Sequence, residues 1–100
     1  MITLDRVQGF DWDDGNGQKS LIKHGVEQRE AEQVFFNDPL LLLEDSGHSH
    51  VERRIHAFGK SNTGRLLHVS FTLRVDETLI RVISARAMNR KERLRYEQEA

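Results

Sequence analysis

The chain contains no cysteine, so neither a disulfide framework nor a thiolate metal site can be built from it. It has no apolar run able to cross a bilayer. The longest, residues 40–43, is four leucines, against roughly 20 residues for a spanning helix. The N-terminus lacks a basic segment followed by an apolar stretch, so no secretory leader is expected and a cytoplasmic protein is the reading. There is a single proline, and no internal repeat, low-complexity tract or linker. At 100 residues one domain is expected over the whole chain, 1–100, with a modest core on one sheet.

Net charge is also nearly absent, at −1, and by itself points to no partner. Its distribution is uneven. Residues 1–50 carry 4 Lys/Arg and 10 Asp/Glu, a balance of −6, whereas residues 51–100 carry 11 and 6, a balance of +5. All the basic residues of the second half except Lys60 and Lys91 are arginine. Arginine binds phosphate or carboxylate with a planar fork that lysine lacks. The bias therefore indicates an anion, with solvated strand and helix ends as the plainer alternative.

Periodicity predicts an α+β order. A short strand is expected over residues 2–7, then a turn-rich stretch over 9–17. Asn16 is read as the cap of a first helix that stops at Gly25. A second helix is expected over residues 27–36, with Ala31, Val34 and Phe35 on one face and Asp38-Pro39 as its stop. Strands follow at 40–44, 54–60, 65–74 and 79–85, with a hairpin signal at Ser61-Asn62-Thr63-Gly64. In the third of these, Leu67, Val69, Phe71 and Leu73 share one face, while Leu66, His68, Ser70, Thr72 and Arg74 share the other. The last strand is apolar on both faces and should be central. Asn89, with Glu92 three residues on, resembles a capping box opening a last helix with few apolar residues, a helix suited to docking on a partner.

Several segments, taken in order, resemble the BrnT family of ribonuclease toxins from type II toxin–antitoxin systems. They are Gly9-Phe10-Asp11-Trp12-Asp13, Lys23-His24-Gly25-Val26, the AEQVFFNDP of residues 31–39, His48-Ser49 with Glu52 and Arg54, Gly59 and Ser61, Gly64-Arg65-Leu66-Leu67, Phe71-Thr72 with Arg74, the IRVISAR of residues 80–86, Glu92-Arg93 and Tyr96-Glu97. Ser20 stands where the family usually has Asn, and Glu27 where it usually has a capping Ser. The resemblance implies a RelE-like fold: an antiparallel sheet of about four strands, two N-terminal helices packed on it and a C-terminal helix. It also implies a cytoplasmic, metal-independent endoribonuclease that halts translation. The implied partners are RNA and a BrnA-type antitoxin, with DNA touched only through the antitoxin complex, no membrane, and a toxin homodimer inside a heterotetramer. No cofactor is implied.

Metal-free RNA cleavage needs a base for the 2′-hydroxyl, cations for the phosphate charge and an acid for the leaving 5′-oxygen. His24 is a candidate base or acid, or else a helix-end cation favoured by the dipole. Glu52 is a second candidate base, or else a surface partner of an arginine. Arg54, Arg74, Arg81 and Arg86 are candidates to gather round one phosphate; carboxylate pairing is the alternative for each. Arg54, Arg74 and Arg86 are assigned with His24 and Glu52 to catalysis. Lys23, Arg65, Thr72, Arg81, Arg90 and Tyr96 are assigned to RNA binding, with Ser70 beside them on the polar face. Tyr96 would stack on a base; packing at a helix end is its other reading. Trp12 is read as core. His48-x-His50 with Asp45 and His56 suggests a metal, but the set is incomplete and no metal is expected. Two rivals remain: a non-catalytic module whose basic half docks an acidic protein segment or nucleic acid, and a metal-dependent hydrolase sensitive to chelators.

Overall fold

The structure, a computed structural model, describes residues 2–47 and 52–100. Strand β1 (Gly9–Trp12) leads into helix α1 (Asp14–His24) and helix α2 (Gln28–Gln33), which tightens into a 3₁₀ turn at Val34–Phe36. Strands β2 (Leu41–Asp45), β3 (Arg54–Lys60), β4 (Leu66–Arg74) and β5 (Leu79–Ala87) follow, and helix α3 (Arg90–Glu99) closes the chain. The expected α+β class, the two early helices, the run of antiparallel strands and the last helix are all present.

The sheet has five strands rather than about four, in the order β1-β5-β4-β3-β2. The extra one is β1, which pairs parallel with β5, Gly9 opposite Leu79 and Trp12 opposite Val82. Residues 2–7 form no strand. Ile2, Leu4 and Val7 pack against the core instead. The segment turns at Asp5-Arg6, with Val7 N donating to Leu4 O at 3.0 Å, so its apolar residues reach the core without a ladder.

Helix α1 begins one turn earlier than Asn16. Asp13 is the cap, its carboxylate accepting from the Gly15 N–H at 2.9 Å, and Gly25 ends the helix in the left-handed region at φ 66°. Asn16 turns inward and donates its side-chain amide to the Val82 carbonyl at 3.4 Å. An aspartate at the cap also faces the positive end of the helix dipole, which favours it over a neutral amide one turn on.

One face of the sheet carries Ile55, Ala57, Leu67, Val69, Phe71, Ile80, Val82 and Ala85, all buried against Val26, Ala31 and Val34 from the helical layer. Phe35 meets Phe71 edge-on with ring centroids 5.1 Å apart. Gly59 permits the close approach of the 3₁₀ turn, since a Cβ there would lie 2.9 Å from Val34 Cγ1. A bulge between Ser70 and Phe71 leaves Ile83 without a cross-strand partner: Ser70 opposes Ser84 and Phe71 opposes Val82. This extra residue explains why β5 reads as apolar on both faces.

Helix α3 crosses to the other face and covers only one end of it. There Phe58, Met88 and Tyr96 form a second cluster with Leu41, Leu43 and Leu66. The capping box of α3 is complete, with Glu92 N donating to Asn89 Oδ1 at 2.8 Å and Asn89 N to Glu92 Oε1 at 3.0 Å. The remainder of this face is polar.

Candidate functional site on the polar sheet face

Because side chains of paired residues point to the same side, the registers define rows across the open face. Asp45, Arg54, Thr72, Arg81 and Asp11 form one row over five strands. Leu43, His56, Ser70 and Ser84 form the next, and Leu41, Phe58, His68 and Arg86 the third. Neighbours within a row are about 4.8 Å apart and successive rows about 6.7 Å apart. Thr72 and Ser70 are buried although they lie on this face.

Two histidines are joined at its centre. His56 Nε2 lies 3.0 Å from Asp45 Oδ2, and His56 Nδ1 lies 3.0 Å from Ser70 Oγ and 2.8 Å from His68 Nε2. Asp45 is itself oriented by the Gly47 N–H, which donates to its other oxygen at 3.1 Å. His68 Nδ1 lies 3.1 Å from Glu92 Oε2, off the line of the ring N–H, so this is an electrostatic contact rather than a linear hydrogen bond. The His68 ring stacks on Phe58 at a centroid distance of 4.4 Å and a tilt of 21°. Burial lowers the His68 pKa to about 4; the Arg86 and His56 charges act with it, and Glu92 opposes them.

Glu92 in turn is gripped by Arg86, whose two terminal nitrogens each donate to one carboxylate oxygen at 2.8 Å. Burial pushes the Glu92 carboxyl up, but the Arg86 fork, the Asn89 N–H and the His68 and Arg86 charges together hold it below the usual value. The Arg86 guanidinium is correspondingly raised by its bond to Glu92. Beside this knot a cleft of about 170 Å³ opens between α3 and the sheet, lined by Leu41, Phe58, Lys91, Glu92 and Arg95.

The residues assigned from sequence divide into two groups. Arg54, Thr72, Arg74, Arg81 and Arg86 share the polar face. Arg74 pairs with Glu52 at 2.9 Å, Arg81 with Asp13 at 3.2 Å, and Arg86 with Glu92. Glu52 is thus brought to the same end of the face, as an exposed partner of Arg74. Arg90 opens α3 and is exposed.

His24, Lys23 and Arg65 lie elsewhere. Helix α1 packs on the core side of β5, where Ser20 Oγ accepts from Ala85 N at 3.1 Å. His24, the last residue of α1, and Lys23 are therefore in the helical layer, with the sheet between them and the polar face. Arg65 closes that end of the molecule, donating to Gly25 O at 3.0 Å, to His24 O at 3.4 Å and to Glu30 at 3.0 Å. The stacking role read for Tyr96 is corrected: its ring is 5 % exposed and its hydroxyl donates to the Pro39 carbonyl at 2.6 Å. Trp12 packs against the core and donates its indole N–H to Glu32 at 2.8 Å. His48 and His50 of the metal reading lie outside the described residues. Among the described residues no three metal-ligating side chains gather.

The pairing of His56 with His68 escaped the sequence reading, although the signal for it is present. Residues 54 and 72, 56 and 70, 58 and 68, and 60 and 66 are partners, a reflection through Thr63 at the centre of the hairpin loop. Counting outward from Ser61-Asn62-Thr63-Gly64 places the two histidines on one face in adjacent rows.

Comparison with known proteins agrees with this architecture. The model of a family described as the ribonuclease toxin BrnT of type II toxin–antitoxin systems matches residues 12–92. The crystal structure of the Brucella abortus ribonuclease toxin BrnT has the same fold, with a TM-score of 0.63 over 84% of this chain and 100% of that one, at 21% identity. No curated protein matches the sequence.

Proposed function

The chain belongs to the family of BrnT ribonuclease toxins of type II toxin–antitoxin systems, and from that premise we propose that its polar sheet face is the catalytic surface of a metal-independent endoribonuclease. The observation that carries this reading is the adjacency of two rows: Arg54, Thr72 and Arg81 in one, His56 and Ser70 in the next. Arginines on either side of a buried hydroxyl form a cradle for one phosphate, and the imidazole lies one row away, within reach of a ribose attached to it.

Cleavage then proceeds by transesterification. The 2′-hydroxyl loses its proton to His56, the 2′-oxygen bonds to phosphorus, and the bond from phosphorus to the 5′-oxygen breaks. The 5′-oxygen takes a proton from His56 in exchange and leaves, and a 2′,3′-cyclic phosphate remains. Arg54 and Arg81 stabilise the charge that builds on the non-bridging oxygens, which is the work a metal ion would otherwise do. In this reading His56 replaces His24 as the proton-transfer group, and Glu52 with Arg74 borders the site. The family implies an antitoxin partner and an RNA substrate. A BrnA-type antitoxin covering this face in a cytoplasmic heterotetramer fits both, with DNA contacted only through the antitoxin.

Cleavage of purified bulk RNA in EDTA tests the proposal. The wild type is expected to cut, and Arg81→Ala to cut about 100-fold more slowly with an unchanged circular dichroism spectrum. Arg81 suits the test because its pair with Asp13 is surface-exposed and contributes little to folding. Absence of cleavage by folded wild type would overturn free-RNA cleavage and favour the non-catalytic binding module. Cleavage abolished by EDTA would instead favour the metal-dependent rival.

A further inference from the structure

Four ring nitrogens stand in line between two carboxylates: Asp45, then His56 Nε2 and Nδ1, then His68 Nε2 and Nδ1, then Glu92. Two neutral imidazoles carry only two N–H protons between them. If His56 donates to Asp45 and His68 donates to His56, the bare Nδ1 of His68 faces the Glu92 carboxylate at 3.1 Å. If the direction is reversed, the bare Nε2 of His56 faces Asp45 at 3.0 Å. Either arrangement sets a lone pair against an anion at one end. A third proton removes the conflict. His56 then donates to Asp45 and to His68, and His68 carries its remaining proton on Nδ1, the nitrogen nearest Glu92, where the contact is electrostatic. Ser70 Oγ, 3.0 Å from His56 Nδ1 and 3.5 Å from His68 Nε2, sits beside the central bond and can accept from it or donate to it.

We propose that His56 and His68 act as one unit, two imidazoles holding a single extra proton between Asp45 and Glu92, and that this unit is the proton-exchanging group of the polar face. The second half of the proposal rests on the ribonuclease reading; the first does not. Asp45 and Glu92 are positioning residues, acting through the rings rather than on RNA. The unit stores one proton and one positive charge next to Arg54. It gives its proton to the leaving 5′-oxygen as it takes up the one the 2′-hydroxyl loses, the exchanging nitrogen parting from its own partner to reach RNA, so the pair ends the step with the proton it began with.

The surrounding charges are consistent with one extra proton and not two. The groups facing the pair are Asp45 from β2, Arg54 from β3, Arg86 from β5 and Glu92 from α3, with Lys91 and Arg95 beyond Phe58. Two carboxylates favour the first proton. The Arg86 guanidinium, together with burial of His68, opposes a second. The low pKa of His68 agrees with a ring that stays neutral in its buried place. Since the sites are coupled, the titration belongs to the pair rather than to either histidine.

Two measurements on the full chain test this. Nitrogen-15 NMR of the histidine rings at pH 7 is expected to show three of the four nitrogens of His56 and His68 protonated. His56→Asn and His68→Asn assign the signals. Two protonated nitrogens would overturn the unit, whatever the protein does to RNA. The pH profile of RNA cleavage is then compared with Glu92→Gln and Asp45→Asn. Gln keeps the side-chain acceptor of the capping box, and Asn keeps the acceptor for Gly47. Each variant is expected to lower the apparent pKa of the pair, in NMR and in the rate profile alike, by about 1 unit, because an anion that held the proton is gone. An unchanged NMR titration in both variants would remove the positioning role. Three protonated nitrogens in a folded protein that cuts no RNA would leave the shared proton standing and overturn its catalytic half together with the ribonuclease reading.

Discussion

Tyr96 and Arg86 illustrate how a side chain suited to RNA can be fully occupied by its own fold. Tyrosine stacks on bases, but this ring lies against Phe58 and Met88, and its hydroxyl is committed to Pro39. Burial, and after it the charge of Asp38, raises its pKa, as expected for a phenol enclosed by protein. Tyr96→Phe therefore removes one hydrogen bond and no RNA contact. It should lower unfolding free energy by about 1 kcal/mol and leave the cleavage rate unaltered, checked by urea denaturation and a single-turnover assay. A tenfold loss of rate in a folded Tyr96→Phe protein would return the residue to the site. Arg86 is the converse case. It stands on the polar face in the row of His68, yet both arms of its fork hold Glu92, so Arg86→Ala removes a brace of α3 before it removes any contact with phosphate.

At the scale of elements, strands β2 to β5 and the cap of α3 were the legible part. β3 begins and ends where periodicity placed it, and Asn89 with Glu92 makes the capping box that the spacing announced. What local pattern could not supply was pairing. β1 is four residues long and gains its place only by lying parallel to β5, with partners seventy residues away in the chain. His24 looked available because a helix end is locally polar, but which side of the sheet a helix packs on is a tertiary fact. The site itself was half legible. The alternation of β4 put Ser70, Thr72 and Arg74 on the polar face, whereas the histidine pair emerges only when the hairpin register is counted through. The end of the site held by α3 responds to acid. The folded pKa of His68, about 4, is below its ordinary 6.5, so unfolding takes up a proton between those values and stability falls as pH drops through that window. Glu92, also lowered, contributes stability above its ordinary 4.5 that is lost as pH falls through its folded value. Both shifts act in the same direction. Unfolding free energy should therefore decline by about 3 kcal/mol from pH 6.5 to 4, and His68→Asn should flatten that decline; denaturant melts at pH 7, 5.5 and 4 measure it. A flat wild-type profile across this window would contradict the buried, neutral state of His68.

For the whole molecule, the segregation of charge along the chain becomes neutralisation in space. The acidic first half supplies Asp13, Glu30, Glu44 and Asp45, and the basic second half meets them with Arg81, Arg65, Arg53 and His56. The surplus of +5 in residues 51–100 is thus not a free basic patch. This bears on how RNA is held. Were all eleven basic residues of that half to contact phosphate, the logarithm of the binding constant would fall against the logarithm of salt with a slope of about −8, from 0.7 per contact on a single strand. If only Arg54, Arg81 and the proton shared by the histidines face the phosphates, the slope is about −2. Affinity should then fall about 20-fold between 50 and 200 mM salt, which fluorescence anisotropy with a 2′-O-methyl oligoribonucleotide can measure, since that ligand keeps every phosphate and lacks the nucleophile. The slope should become shallower by about 0.7 in Arg81→Ala and stay the same in Lys23→Ala, whose side chain lies in the helical layer. A steep slope reduced equally by both substitutions would mean that RNA spreads over the whole surface, and would take the phosphate cradle away from the row of Arg54, Thr72 and Arg81.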